Sequence, residues 1–250
     1  MGLVSLKPGE YLEPLGQNLS IIQHRQGYRF SLDAVLLAGF VEPKAGEKVF
    51  DLGTGSGIIP LLLFLREPEI QVTGLELQER LADQARRSVL LNSLGARFKI
   101  IQGDLKELEG EWLNQWDVVV ANPPFFAVKQ GGRVNENAEK AIARHEIACT
   151  LEDVVKAARL LLKGRGRFLL IHRAERLQTI IEMLACYHFT LTRLAFVHPY
   201  EDTPANLVLV EGTLGGGSPL KVLPGIVVHR EKGKYTRQLE RLFAGENLFC

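Results

Sequence analysis

The chain has 250 residues, of which 46% are hydrophobic and 24% charged, and its formal net charge is +1. This balance predicts one soluble globular core and excludes a broad electrostatic attraction to nucleic acid, which would have to come from local patches. The longest apolar run, residues 58–65, is too short to span a bilayer, no signal-peptide pattern is present, and the three cysteines lack disulfide or metal-ligand spacing. We therefore expect a cytoplasmic protein with no membrane partner and no metal.

Residues 1–26 hold prolines and glycines among scattered apolar positions, which predicts an extended or hairpin-like lead-in. The next element is a helix that begins after Ser31, a residue type that caps helices, with apolar residues at 32, 35, 36 and 39–40. This helix either covers the core or contributes to a ligand site, and the pattern leaves both open.

Residues 49–57 form an apolar run that ends in an acid and three alternating glycines, and an apolar helix pattern follows over residues 58–65. Glycine allows positive φ and close approach to a ligand, so the pattern predicts a strand, a ligand-binding turn and a helix. A dinucleotide fingerprint would need a small residue in place of Ile58, whereas the spacing matches the D-x-G-x-G-x-G loop of S-adenosylmethionine enzymes. The cationic amino and sulfonium groups of that cofactor suit a carboxylate; a glycine turn without a ligand is the alternative. The predicted cofactor residues of this turn are Asp51, Gly53, Gly55 and Gly57.

Two further strands end in acidic residues. The strand predicted over residues 71–76 ends at Glu76, whose carboxylate can accept hydrogen bonds from both ribose hydroxyls of a nucleoside cofactor, nicotinamide or adenosylmethionine alike. An amphipathic helix is predicted over residues 78–92. The strand over residues 98–102 is followed by Asp104 and Leu105, and Asp104 either accepts from an adenine amino group or is a plain turn residue.

A fourth strand, residues 116–121, is almost free of polar residues and runs into Asn122-Pro123-Pro124-Phe125. The amine of a base such as adenine is a poor nucleophile, because its lone pair is delocalised into the ring. The Asn122 side-chain oxygen and the Pro123 carbonyl can each accept one N–H and aim the lone pair at a methyl donor, and Phe125 can stack on a flipped-out base. This predicts a catalytic turn of Asn122, Pro123, Pro124 and Phe125.

The rest of the chain predicts helices over residues 138–147 and 150–162, the second opened by a capping box of Thr150 and Asp153 and closed by Gly164 and Gly166. Strands at 167–172, 191–197 and 206–212, with a helix at 175–187 after the first, complete the pattern. A possible strand at 220–228 and a helix at 236–243 follow. The predicted fold is α/β, Rossmann-like, with a seven-stranded, mostly parallel sheet containing one antiparallel strand. The predicted divisions are a lead-in at 1–26, a methyltransferase domain at 27–212 and a basic extension at 213–250 packed on the same domain.

The glycine turn and the Asn-Pro-Pro-Phe turn, in this order, resemble the Rossmann-like amino-methyltransferases of adenine N6, guanine N2 or protein glutamine. More narrowly, the chain from residue 27 onward is similar to the bacterial tRNA-Val (adenine-N6)-methyltransferase family, on residues 29–37, 134–137, 143–146 and 174–177. The resemblance implies methylation of adenosine 37 of a tRNA by S-adenosylmethionine. It implies that Asp51, Glu76 and Asp104 hold the cofactor, and that the base binds at Asn122 to Phe125. We place Arg29, Leu105 and Asn122 in the cofactor site as well.

The residues leave other functions open: a release-factor glutamine methyltransferase, an rRNA guanine N2-methyltransferase, or a catalytically silent RNA-binding protein. The glutamine enzymes usually have Tyr where this chain has Phe125. Residues 221–241 hold six Lys or Arg against two acids, which indicates either a solvated surface or phosphate contacts. We expect a monomer or weak homodimer that binds tRNA. The predicted substrate contacts are Phe125, Phe126, Lys129, Arg133, Arg144, Arg230, Lys232, Lys234 and Arg237.

Overall fold

The computed structural model describes residues 4–16, 18–26, 29–124 and 149–249. Within them the helices are α1 (Leu32–Phe40), α2 (Ile58–Arg66), α3 (Glu79–Leu91), α4 (Leu151–Leu161), α5 (Leu177–Cys186) and α6 (Arg237–Phe243). The long strands are β1 (Glu10–Leu15), β2 (Leu19–His24), β3 (Lys48–Leu52), β4 (Gln71–Glu76), β5 (Phe98–Gln102), β6 (Trp116–Ala121), β7 (Leu162–Arg173), β8 (Phe189–His198) and β9 (Leu207–Leu214). The short strands are β10 (Lys221–Val222), β11 (Ile226–Val227), β12 (His229–Glu231) and β13 (Lys234–Tyr235).

The main sheet has the strand order β10-β8-β9-β7-β6-β3-β4-β5, and β11 also pairs with β8. The pairs are parallel except those that β9 makes with β7 and β8. This confirms an α/β fold with a mostly parallel sheet and one antiparallel strand. β10 and β11 extend the described sheet beyond the seven predicted strands.

Both faces of the sheet are covered, as the apolar character of β6 predicts. Val118 and Val120 point to one face, where they join a core with α1, α2 and α3. Val119 and Ala121 point to the other face, against α4 and α5. All four side chains are fully buried, so β6 is a rigid base for the turn that follows it.

The lead-in is an antiparallel hairpin of β1 and β2 that packs on α3. Arg87 of α3 donates hydrogen bonds of 2.7 and 2.6 Å to the two carboxylate oxygens of Glu10. The Asn92 side chain accepts from the Ser20 N–H and donates to the Ser20 carbonyl. Bidentate, partly buried contacts of this kind fix the position of the hairpin.

The C-terminal extension also lies against this core. β10 and β11 continue the sheet beyond β8, and Leu239 and Leu242 of α6 are buried beside α1. The rings of Phe40 and Phe249 meet edge to face at 6.1 Å.

Several local predictions can be compared with the structure. The capping box is confirmed: the Thr150 hydroxyl accepts from the Asp153 N–H at 3.1 Å, and the Asp153 carboxylate accepts from the Thr150 N–H at 2.9 Å. Ser31 is the N-cap residue of α1, but its side chain makes no capping bond. Gly164 and Gly166 do not close the helix: they lie in a bulge of β7, which begins directly after α4. The helix predicted over residues 138–147 lies outside the described residues.

Candidate active site

A cavity of about 560 Å³ opens at the carboxyl ends of β3, β4, β5 and β6. This is the edge at which open parallel sheets bind ligands, and the volume is typical of a small-molecule site. The predicted site residues that line it are Gly53, Gly55, Glu76, Asp104, Leu105, Asn122, Pro123 and Pro124. The two predicted turns, which are far apart in the sequence, therefore share one cavity.

The glycine turn is tied to the neighbouring strand through its backbone. The N–H groups of Gly53 and Thr54 both donate to the Leu75 carbonyl at 2.9 Å. Gly53, Gly55 and Gly57 have φ values of 72°, 58° and 88°, a region that side chains disfavour. Gly57 is the N-cap of α2 and does not line the cavity, so it shapes the turn without forming the wall.

Glu76 is 6% exposed and fixed at the end of β4. Its two carboxylate oxygens accept N–H bonds from Gly55 at 2.8 Å and from Gln78 at 2.9 Å. These bonds orient the carboxylate at the cavity wall. The bond to Gly55 also couples the acid to the glycine turn.

Asp51 lies beneath the glycine turn and does not reach the cavity wall. It is fully buried, and neither carboxylate oxygen has a hydrogen-bond partner among the described residues. Burial raises the pKa of this carboxyl to about 7; the nearby Glu76 carboxylate adds to the rise, and the Thr54 hydroxyl opposes it. The contact of Asp51 with the cofactor stays a prediction, because the carboxyl lies beneath the turn and does not line the cavity.

Of the other predicted cofactor residues, some line the cavity and one does not. Asp104 lines the cavity, and its carboxylate also accepts from the Lys106 N–H at 2.9 Å, so it is both a turn residue and part of the wall. Leu105 beside it supplies apolar surface. Arg29 is not at the cavity: it donates to the Arg25 carbonyl at 3.1 Å, and its guanidinium lies 5.8 Å from the Tyr11 ring centre.

The Asn122 turn follows directly from the buried end of β6. Asn122 lines the cavity, and its side chain has no hydrogen-bond partner within the described part of the chain. Pro123 and Pro124 continue the wall. The predicted contacts Phe125, Phe126, Lys129, Arg133 and Arg144 lie outside the described residues.

Residues outside the predicted set also line the cavity or support it. Ser31 and Asp33, at the start of α1, line the cavity, while residues 34–40 of the same helix are buried. Burial raises the pKa of Asp33, and Arg173 opposes the rise. Helix α1 therefore both covers the core and contributes to the cavity. The sequence signal for the second role is an acid, Asp33, in the first turn of an otherwise apolar helix.

Gln23 supports the glycine turn from outside the cavity, so it is a positioning residue. This side chain of β2 is 1% exposed and donates to the Ser56 hydroxyl at 3.0 Å, inside the glycine turn. Its carbonyl oxygen accepts from the Phe30 N–H at 3.3 Å. The β1–β2 hairpin therefore helps to fix the position of the glycine turn. The sequence of the hairpin did not indicate this role.

The C-terminal cations Arg230, Lys232, Lys234 and Arg237 are exposed and lie away from the cavity wall. The Arg230 guanidinium lies 3.7 Å from the Glu240 carboxylate, and the Lys234 ammonium lies 2.8 Å from the Glu231 carboxylate. Lys232 and Arg237 form no ion pair with a described residue. Among the described residues there is also no metal-binding cluster of His, Cys, Asp or Glu, and no helix with the length and apolar character needed to cross a membrane.

Comparison with known proteins agrees with this geometry. The family model described as methyltransferase small domain matches residues 32–184. The tRNA1(Val) (adenine(37)-N6)-methyltransferase of Porphyromonas gingivalis is 30% identical over 225 residues, covering 86% of each chain. The protein of the same name from Trichodesmium erythraeum is 27% identical, covering 78% of this chain and 81% of the relative.

Among solved structures, a predicted O-methyltransferase from Agrobacterium tumefaciens matches with a TM-score of 0.68 and 22% identity, over 85% of this chain and 96% of that chain. This likeness confirms the Rossmann-like methyltransferase fold. The cavity, with its carboxylates and glycine turn, fits S-adenosylmethionine as the cofactor. This chain is an S-adenosylmethionine-dependent methyltransferase that belongs to the methyltransferase small domain family and, within it, to the bacterial tRNA-Val (adenine-N6)-methyltransferase family.

Proposed function

We propose that this enzyme methylates the exocyclic N6 of an adenine in RNA, and specifically adenosine 37 of a tRNA. The observation that carries the proposal is that Asn122, Pro123 and Pro124 line the same cavity as Glu76 and Asp104. The names of the relatives support the choice of tRNA and of adenine 37.

The proposed chemistry is mainly positioning. S-adenosylmethionine supplies an electrophilic methyl group on its sulfonium. The Asn122 side-chain oxygen and the Pro123 carbonyl each accept one N–H of the adenine amine, which turns its lone pair out of the ring plane. The proline ring of residue 124 restricts the backbone before it and so fixes that carbonyl. A strongly basic side chain would be unnecessary, because the amine proton becomes acidic only as the new N–C bond forms and the S–C bond of the sulfonium breaks, and solvent water can then take it.

The cofactor side of the cavity has three carboxylates for three polar parts of the ligand. We propose that Glu76 accepts from the ribose hydroxyls, that Asp104 accepts from the adenine amine of the cofactor, and that Asp33 pairs with its amino group. Leu105 would cover the adenine ring, and Gly53 and Gly55 would let the backbone approach the ligand. We propose that Asp51, beneath the glycine turn, and Gly57, at its end, support the conformation of the turn. Arg29 contacts the Arg25 carbonyl outside the cavity.

The substrate side extends beyond the cavity. We propose that Arg230, Lys232, Lys234 and Arg237 of the extension at 213–250 neutralise tRNA phosphates, together with residues outside the described part of the chain, Lys129, Arg133 and Arg144. Phe125 and Phe126 would hold the flipped base. We further propose that residues 27–212 form the methyltransferase domain and that the protein acts in the cytoplasm as a monomer or weak homodimer.

A release-factor glutamine poses the same lone-pair problem and a guanine N2 amine a similar one, so the Asn122 turn suits them chemically. The test is methyl transfer from labelled S-adenosylmethionine to tRNA, rRNA, DNA and release factor in parallel, followed by nucleoside analysis. Label in N6-methyladenosine from tRNA is the expected result. Label in the release factor or in guanosine would overturn the proposal.

A further inference from the structure

Four aromatic rings form a continuous row on the surface of the C-terminal extension. The ring centres of Tyr200 and His229 are 5.6 Å apart, those of His229 and Tyr235 are 5.0 Å apart and nearly parallel at 18°, and those of Tyr235 and Phe243 are 5.0 Å apart. We call Tyr200, His229, Tyr235 and Phe243 the aromatic row. His229 and Tyr235 face each other across the β12–β13 hairpin, so the row is built into a defined register.

Local packing alone does not account for this row. Tyr200, Tyr235 and Phe243 are 38%, 37% and 41% exposed, which is high for large aromatic residues. Nδ1 of His229 is buried without a hydrogen-bond partner among the described residues. A buried polar atom left unsatisfied costs stability, so a hydrogen bond at Nδ1 does not explain the position of the imidazole.

The aromatic row lies at the same edge of the sheet as the cavity. Tyr200 follows the carboxyl end of β8, and β11, which ends just before His229, is parallel to β8. The cavity turn at Asn122 follows the carboxyl end of β6, three strand positions away in the order β8-β9-β7-β6. At about 4.8 Å per strand, the separation between the cavity turn and the Tyr200 end of the row is roughly 15 Å. Stacked nucleotides rise about 3.4 Å each, so about four of them reach Tyr200, and the ring-to-ring steps of 5.6 and 5.0 Å from Tyr200 to Tyr235 add up to about three more.

Cations lie along and beyond this path. Arg173 ends β7, between the cavity and the row, and Arg176 follows it; both are exposed and form no ion pair with a described residue. At the far end, Lys232 and Arg237 flank Tyr235. The acids Glu201 and Asp202 are exposed beside Tyr200. Near Tyr235 the cations Arg230 and Lys234 are paired with Glu240 and Glu231, so Lys232 and Arg237 are the charges that favour a phosphate there, whereas the acids disfavour one near Tyr200.

We propose that the exposed parts of the Tyr235 and Phe243 side chains form a stacking subsite for an unpaired RNA base several nucleotides from the adenine held in the cavity. Aromatic faces beside cations are the usual means of holding single-stranded nucleic acid, since every base has a stackable face. The inference rests on the proposed function in taking RNA as the ligand. It adds a second contact point, which would fix the position of the loop relative to the cavity.

The test is a double-mutant cycle on binding of tRNA transcripts to the full-length protein. One change is Tyr235→Leu, with Phe243→Leu as a second variant; the other is an abasic nucleotide placed at each loop position in turn. Tyr187→Leu, at the opposite edge of the sheet, is the matched control, and Tyr235→Phe should restore binding. Thermal unfolding of every variant separates lost stacking from lost folding.

We expect Tyr235→Leu to weaken binding roughly five- to hundredfold. The two changes should be strongly non-additive at one loop position only, because the base and the ring then remove the same contact. Additive effects at every position, or unchanged affinity in both folded Leu variants, would overturn the proposal and leave the row as a surface for a protein partner. Methylation by the wild type is measured separately, so a coupled base without N6-methyladenosine would contradict only the proposed function.

Discussion

The side-chain amide of Gln23 donates a hydrogen bond of 3.0 Å to the Ser56 hydroxyl, linking the N-terminal hairpin to the glycine turn 33 residues later. Both side chains are 1% exposed. The turn that faces the cofactor cavity is therefore held from behind by an element outside the parallel sheet.

Replacing Gln23 should affect both stability and cofactor binding. Gln23→Leu keeps the volume of the side chain but leaves the buried Ser56 hydroxyl and the Phe30 N–H without this partner, which should cost about 1–3 kcal/mol of unfolding free energy. We expect S-adenosylmethionine affinity to fall several-fold as the turn loosens. Urea unfolding and calorimetry measure the two effects, with the exposed Gln178→Leu as control. Equal cofactor affinity in wild type and Gln23→Leu would show that the hairpin does not position the turn.

Replacing Glu76 should weaken cofactor binding more specifically. Glu76→Gln keeps the shape but removes a negative acceptor held by the N–H groups of Gly55 and Gln78. Bonds to a charged acceptor contribute about 1.5–3 kcal/mol, so affinity should fall roughly ten- to hundredfold. Glu79→Gln, in the first turn of α3, is the matched control. Unchanged affinity by calorimetry would remove Glu76 from the ribose contact.

The buried carboxyl of Asp51 should make stability depend on pH. Its pKa is raised from 3.8 to about 7, so the folded state holds a proton that the unfolded state releases. Stability from this group is therefore present below about pH 4 and is lost as the pH rises through 7. His172 acts in the opposite sense, because burial lowers its pKa to about 4.

Comparing wild type with Asp51→Asn separates the pH dependence of stability that is due to Asp51 from the part that is due to His172. The neutral variant should become more stable relative to wild type as the pH rises from 4 to 8, by a few kcal/mol in total. Urea unfolding at four pH values across this range measures the difference. A constant difference across the range would show that Asp51 titrates normally.

The sequence predicted the parts of this site that depend on local pattern. The glycine spacing, the acid at the end of β4 and the Asn-Pro-Pro turn each sit in one short segment, and the parallel sheet brings strand ends together automatically. Gln23 and Asp33 were missed because their roles arise only when the hairpin and α1 dock against the turn. The predicted cofactor contact of Arg29 stays a prediction, since of this segment Ser31 and Asp33 line the cavity and Arg29 does not.

The C-terminal cations should control the salt dependence of tRNA binding. Cutting the chain after residue 212 would expose the core, because Leu239 and Leu242 are buried against α1. The cleaner change is Lys232→Gln with Arg237→Gln, two cations of the extension that form no ion pair with a described residue. Each lost phosphate contact should flatten the slope of log K against log[salt] by about 0.7, or about 1.4 for both. The control is Lys99→Gln with Lys156→Gln, and parallel lines for wild type and the Lys232/Arg237 variant would place the phosphate contacts elsewhere.

The central claim is that Asn122 orients an adenine amine in the cofactor cavity, and single-turnover methyl transfer to tRNA by Asn122→Ala tests it most directly. We expect the rate to fall at least about a hundredfold, the scale for losing one oriented polar group at the reacting centre. S-adenosylmethionine affinity should stay within about twofold of wild type, and the exposed Asn247→Ala should behave as wild type. N6-methyladenosine formed by Asn122→Ala at a near-normal rate would contradict the account.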